Sequence, residues 1–342
     1  MSRHRAPAML LVVVSACTGP PDDTGAAAPS FAYPLDDVLR FHHVQSLGTH
    51  NSYHLRTEGI GRPEWDYAHA PLDVQLAAQG VRQFELDVYW NEDEERFDVY
   101  HLPVIDAAST CPTLVACIGV IAAWSDAHPA HVPLELMIEP KDGFHADTVA
   151  ARLATLDAEI ASAWPAERLI TPDRVQGDAP TLRDAVAERG FPTLGELRGG
   201  LLVVLHADAD WRRAYTDGDT TTAGRLLFPD AYGDTTLAVG AVSTLNDPIG
   251  QAEAISAALA ANHLVRTTAD SGSEVAEAND TSYRDAGLAG GATFVTTDHP
   301  VAVDGLVYAV QIPGGTPSRC NPVTAPPECT PEAIEDPAFI QE

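Results

Sequence analysis

Gly48-Thr49-His50-Asn51-Ser52-Tyr53-His54 closes an apolar-leaning run of strand length, and three more polar endings follow it. They are Phe84-Glu85-Leu86-Asp87-Val88, then Val99-Tyr100-His101, then Met137-Ile138-Glu139-Pro140-Lys141. Each terminates a run that reads as a β-strand. If the four strands are parallel neighbours, their endings gather the imidazoles of His50 and His101, three carboxylates, one carboxamide and one ammonium at one end of a sheet. Packing alone gives no reason for that bias.

The rest of the chain alternates in the same way. Strand-like runs are predicted at 44–48, 81–89, 97–101, 133–139, 201–206, 236–242, 264–268 and 293–297. Ala- and Leu-rich helical stretches are predicted at 72–79, 114–128, 146–163, 251–262 and 273–290. Strands joined by helical crossovers imply an α/β fold, a TIM-type (β/α)8 barrel forming a single catalytic domain. Barrel enzymes carry their chemistry at the C-terminal ends of the strands. His50, Asn51, Glu85, Asp87, His101, Glu139 and Lys141 fall there, with Asp270 after the seventh strand and Asp298 after the eighth. Segment 164–199, rich in Pro, Arg and Asp, reads as an irregular decoration, and no internal repeat is evident.

Asn51, Glu85, Asp87 and Glu139 offer only oxygen ligands, which suit a hard cation such as Ca2+. Glu85 and Asp87 are two apart on one strand and so share a face. Clustered carboxylates repel one another unless a cation intervenes, and no basic cluster is expected nearby to replace it. His50 and His101 are then free for proton transfer and for stabilising charge on a phosphoryl group. The other histidines, His206 among them, read as structural, and His54 and His299 as rim or surface residues. Lys141 is the only lysine among 20 basic residues, and it lies within this set.

Composition limits the partners. There are 49 acidic residues against 20 basic ones, a formal net charge of -29. Such a surface repels nucleic acid and gives no long-range attraction to anionic membranes. No protein partner is implied. Arg3, Arg5 and the apolar run 8–14 precede Val14-Ser15-Ala16-Cys17, a bacterial lipoprotein cleavage pattern. Residues 1–16 are therefore expected to be a signal peptide and Cys17 a lipid anchor. Cleavage would remove two arginines and take the charge from -29 to -31. Residues 17–34 read as a flexible tether, 35–312 as the barrel and 313–342 as a stapled tail. The expected product is an exported bacterial lipoprotein, held on the cell envelope or secreted. In that oxidising setting Cys111 with Cys117 and Cys320 with Cys329 form short-loop disulfides. Neither spacing matches a zinc knuckle.

These motifs resemble the calcium-dependent phosphoinositide-specific phospholipases C, most closely the small secreted bacterial type. Gly48-Thr49-His50-Asn51-Ser52-Tyr53 is similar to that family's first-strand motif, Glu85-Leu86-Asp87 to its second-strand calcium ligands, and His101 to its second catalytic histidine. The resemblance implies His50 as general acid, His101 at the phosphoryl oxygens, Asn51, Glu85, Asp87 and Glu139 on Ca2+, and Lys141 at the substrate phosphate. Arg266, Asp270 and Asp298 would bind substrate. The implied reaction is attack of an inositol 2-hydroxyl on phosphorus, releasing diacylglycerol and a 1,2-cyclic inositol phosphate at a membrane surface. Glu85 and Glu139 are both eligible as general base. One departure stands out: the bacterial pattern Arg-Thr-Arg-Ala-Asp is here Arg266-Thr267-Thr268-Ala269-Asp270. Two alternatives remain. A glycerophosphodiester phosphodiesterase would usually show His-Arg-Gly and Glu-Asn-Thr motifs, absent here. A non-catalytic lipid-binding surface lipoprotein would need no paired histidines.

Overall fold

Parallel strands that curl round and meet themselves organise this molecule. The computed structural model describes Met1 and residues 33–335, apart from 60–61, 271–272, 304 and 315–316. The expected leader, Cys17 and the tether up to residue 32 lie outside the described residues. In chain order the strands are β1 (Val44–Thr49), β2 (Val81–Asn91), β3 (Arg96–Val99), β4 (Leu134–Pro140), β5 (Leu169–Ile170), β6 (Leu201–Leu205), β7 (Leu227–Pro229), β8 (Val242–Thr244), β9 (Leu264–Thr268), β10 (Phe294–Thr297) and β11 (Arg319–Cys320). Parallel pairing runs from β1 through β2, β4 and β6 to β7, and the other way from β1 through β10 and β9 to β8. The two arms meet at a parallel bridge between Asp230 and Val242, where Ala231 N–H donates to the Val242 carbonyl at 2.9 Å. Eight parallel strands thus close the barrel, with its thinnest seam between β7 and β8.

Strand alternation sorts the side chains into two layers. Phe84, Leu86 and Val88 of β2, with Leu134, Leu136 and Ile138 of β4, face outward into the apolar layer shared with the helices. Met137, Leu202, Val204, Phe228, Val242, Leu264 and Phe294 form a separate inner cluster. The same alternation turns Gln83, Glu85 and Asp87 inward, and with them Glu135 and Glu139. Register then places Asp87 directly beside Glu139. Helices α1 (Leu72–Ala78), α2 (Leu114–Ala127) and α3 (Val149–Ala163) cover the first half of the barrel.

Three expectations are corrected. Run 97–101 is no barrel strand: β3 folds back antiparallel on β2, pairing Val99 with Val88 and Arg96 with Asn91. Its connection is a tight turn, whereas a parallel crossover needs a dozen or more residues. The missing barrel strand is β7, three residues ended by Pro229, and the strand expected over 236–242 begins only at Val242. Segment 164–199 is largely ordered as α4 (Pro172–Gln176), α5 (Leu182–Arg189) and α6 (Leu194–Leu197). Thr171, Thr181 and Thr193 cap them by accepting backbone N–H bonds from Arg174, Asp184 and Glu196. These N-caps were the overlooked signal. Farther on lie α7 (Ala209–Tyr215), α8 (Ala252–Ala260), α9 (Ser273–Glu277) and α10 (Ser282–Ala289); the last two divide one expected helix.

The C-terminal segment packs beside the start of β1, while Phe41, Phe191 and side chains of α4 and α5 pack against the inner cluster. β11 pairs antiparallel with β1. Ala333 and Ile334 pack with Leu39, Val44, Val132 and Leu194. Arg82 Nε donates to both Glu335 oxygens, at 3.1 and 2.9 Å, with both residues buried. Cys111–Cys117 and Cys320–Cys329 are disulfide-bonded as expected. Among the described residues no helix is long and apolar enough to cross a membrane.

Candidate active site

The turn after β1 is stitched to the strand that carries Glu85. Ser52 N–H donates to the Glu85 carbonyl at 2.9 Å, and Glu85 N–H donates to Ser52 Oγ at 2.8 Å. Asn51 adopts φ 44°, a left-handed conformation that Asn tolerates better than most residues. Its carboxamide is clamped by two tyrosines: Nδ2 donates to Tyr67 Oη at 3.2 Å, and Tyr53 Oη donates to Oδ1 at 3.3 Å. Gly48 is required by close approach, because a Cβ there would lie 2.1 Å from Gln83 Oε1.

His50, Asn51, His101, Lys141, Arg266 and Asp298 line one cavity of about 470 Å³ at the strand ends. His50 Nδ1 lies 2.9 Å from Asp298 Oδ1. Burial opposes the charge on His50, but the Asp298 carboxylate and Glu85 outweigh it and push its pKa up to about 9. His101 Nδ1 lies 2.7 Å from Asp106 Oδ2. Burial holds His101 below the usual histidine value, against the pull of Asp106. Trp65 stands edge-on to the His101 ring at 5.3 Å.

Oxygen atoms of Glu85, Asp87 and Glu139 lie within 4.8 Å of one another. Among the described residues both Asp87 carboxylate oxygens are buried and make no hydrogen bond, Lys141 Nζ at 3.4 Å being their nearest cation, which suits a metal-ligating role. Burial pushes the Asp87 carboxyl up to about 7, with Lys141 opposing. The donors fit a hard divalent ion. The expectation that no basic cluster lies nearby is corrected: Lys141 and Arg266, both placed at the site from sequence, pair directly with the carboxylates. Lys141 Nζ sits 2.7 Å from Glu139 Oε1 and 3.4 Å from Asp87 Oδ2. Arg266 Nη2 sits 2.5 Å from Glu85 Oε2, and Arg266 also donates to Asn246 Oδ1. Burial would raise the Glu85 carboxyl, yet Arg266 and His50 pull it down to about 2.

Lys141 and Arg266 are therefore both engaged by carboxylates here. Asp298 backs His50, while Asp270 accepts from Asp298 N–H at 2.9 Å and from Thr297 Oγ1. His54 and His299, expected at a rim or surface, are both buried. Sequence reading also missed a third pair: His206 Nδ1 lies 2.7 Å from the buried Asp230 Oδ2. His206 lines a neighbouring cavity of about 510 Å³ with Glu139, Lys141 and Tyr232. Its sequence signal was weak but present, a histidine directly following the β6 run, as His50 follows β1.

Residues 39–98 and 92–322 match the family model described as phosphoinositide phospholipase C, Ca2+-dependent. No curated protein sequence gives a significant match. The fold is similar to the solved calcium-dependent phosphoinositol-specific phospholipase C of Pseudomonas sp. That match has TM-score 0.57 and 21% identity, over 79% of this chain and 94% of that one. A myoinositol complex of the Pseudomonas protein matches at TM-score 0.57 and 20% identity, over 80% and 95%. The Ca2+-dependent phosphatidylinositol-specific enzyme of Streptomyces antibioticus matches at TM-score 0.57 and 22% identity, over 76% and 95%.

Proposed function

Because the chain belongs to the calcium-dependent phosphoinositide phospholipase C family of enzymes, we propose that it cleaves phosphatidylinositol, or a closely related inositol phospholipid, to diacylglycerol and inositol 1,2-cyclic phosphate. The observation that carries this reading is the meeting of two aspartate-backed histidines and an all-oxygen ligand set at one end of the barrel. Asn51, Glu85, Asp87 and Glu139 would hold Ca2+, which lowers the pKa of a bound hydroxyl and neutralises phosphate charge. His50, whose protonated form Asp298 stabilises through Nδ1, serves as general acid by giving its Nε2 proton to the departing diacylglycerol oxygen. His101 acts on the phosphoryl oxygens, where an arriving phosphodiester anion favours its protonated, donating form. Glu85 and Glu139 are each paired to a cation, Arg266 and Lys141, and both are eligible as the base. Arg266, Lys141 and Asp270 bound the space for the head group.

The loops at this end also favour a lipid surface. Val104 and Ile105 after β3, Ile249 after β8, and Val303 and Val307 after β10 are exposed, Val104 at 96% and Val307 at 81%. An aliphatic rim lets a strongly acidic protein meet lipid through apolar contact rather than charge. The myoinositol bound by the Pseudomonas relative is consistent with an inositol head group here.

The test is product identification by phosphorus NMR on vesicles of phosphatidylinositol, its lyso form, and soluble glycerophosphoinositol. Phosphatidylinositol should give the cyclic phosphate first. Cleavage of glycerophosphoinositol alone, directly to glycerol phosphate, would contradict the reading.

A further inference from the structure

The loop after His101 is closed on itself by backbone bonds from Leu102 N to Asp106 O at 2.9 Å and from Asp106 N to Leu102 O at 3.2 Å. It delivers Asp106 to the back of the His101 ring. The Asp106 carboxylate is wholly buried and serves three donors. Oδ2 takes His101 Nδ1 at 2.7 Å and His54 Nε2 at 2.9 Å, and Oδ1 takes Thr57 Oγ1 at 2.9 Å. His54 is itself buried, lies 4.5 Å from the Tyr67 ring, and stands edge-on to His101 at 5.8 Å. Its Nδ1 has no partner among the described residues, so Nε2 is the atom that bears its proton. The segment is fixed before the loop by Tyr89 Oη, which donates to the His101 carbonyl at 2.9 Å, and after it by Thr110 N–H on the Tyr53 carbonyl at 2.8 Å and the Cys111–Cys117 disulfide.

We propose that Asp106 is a positioning residue that holds His101 protonated at Nδ1, so that the second proton the ring takes up as the phosphodiester arrives sits on Nε2 and faces the phosphoryl oxygens, with His54 and Thr57 holding the carboxylate in place. The reason is elementary. An ionised carboxylate only accepts, so each imidazole nitrogen facing it must carry a hydrogen. A neutral ring has one such hydrogen, so the far nitrogen of His101 is free for the cavity. Three donors on one carboxylate leave it a single orientation, and the shared oxygen fixes the distance between the two rings. This rests on the reading that places His101 at the phosphate; the tautomer itself does not.

Long-range proton–nitrogen spectra of the calcium-loaded protein with labelled histidine, assigned by comparison with His101→Ala, should show His101 protonated at Nδ1 in the wild type. Asp106→Asn, which sets an amide donor against one of the two rings, should shift His101 toward the other tautomer. It should lower kcat roughly 10²-fold, because the protonated ring that acts on the phosphoryl oxygens loses the carboxylate behind it. KM for phosphatidylinositol vesicles and calcium affinity should hold. In a His101→Ala background the same substitution should cost nothing further. A wild-type His101 protonated at Nε2 overturns the proposal without need of any variant. So does a folded Asp106→Asn protein with wild-type kcat, or one whose loss adds in full to that of His101→Ala. Unchanged turnover in His101→Ala alone would instead remove the catalytic reading of His101 and leave the tautomer assignment standing.

Discussion

His50 and His101 differ in what surrounds them, and that difference gives each a separate prediction. His50→Ala should lose about 10²–10⁴-fold in turnover on phosphatidylinositol but far less on an ester with a nitrophenol leaving group, which departs without a proton. His101→Ala should lose similarly on both esters, because both share the phosphoryl oxygens. Steady-state rates of each variant on the two substrates separate the roles, and equal rescue of both by the activated ester would reverse the assignment. Most of this site was legible because strand-end polar residues are conspicuous against apolar runs. Glu85, Asp87 and Glu139 announce themselves that way. Asp106 did not, because it sits in a loop with no periodic signal; Asp298 was read at a strand end as a substrate contact, and only the fold brings it behind His50. Likewise Lys141 and Arg266 could be seen as cations in the sequence, but pairing with the carboxylates is a three-dimensional fact.

Among the elements, β1 is the most constrained. Gly48 faces Gln83 Oε1 at 2.1 Å and Thr296 Cγ2 at 2.7 Å from where a Cβ would stand. Gly48→Ala should therefore push β2 and β10 away from β1 and destabilise the protein by about 1–3 kcal/mol. Denaturant unfolding would measure it; an unchanged midpoint would show that the strands yield freely. Long, apolar β2, β4 and β6 were readable as buried parallel strands. The three-residue β7 was not, since its pairing comes from β6 and the barrel seam rather than from its own length. β3 misled for a related reason. Its composition is that of a barrel strand, and only the shortness of the link to β2 decides for a hairpin.

At the scale of the molecule, the strand endings hold the chemistry and the C-terminal segment braces the start of β1 and β2. Glu335→Ala should leave Arg82 buried and unpaired, at a cost on the order of 3–5 kcal/mol. A thermal melt of the isolated variant should show a large downward shift, whereas an unshifted melt would mean the segment is not needed to brace the barrel. The net charge of -29 was plain in the sequence, as was the helix–strand alternation that implies a barrel. The order of the strands round the seam was not, because closure depends on bonds between residues far apart in the chain. The central claim is that Asn51, Glu85, Asp87 and Glu139 form a calcium site on which turnover depends. Its most direct test is hydrolysis of phosphatidylinositol vesicles by the wild-type protein against buffered free calcium. Turnover should fall to background in excess chelator and return in full when calcium is restored, and full turnover in excess chelator would contradict the account.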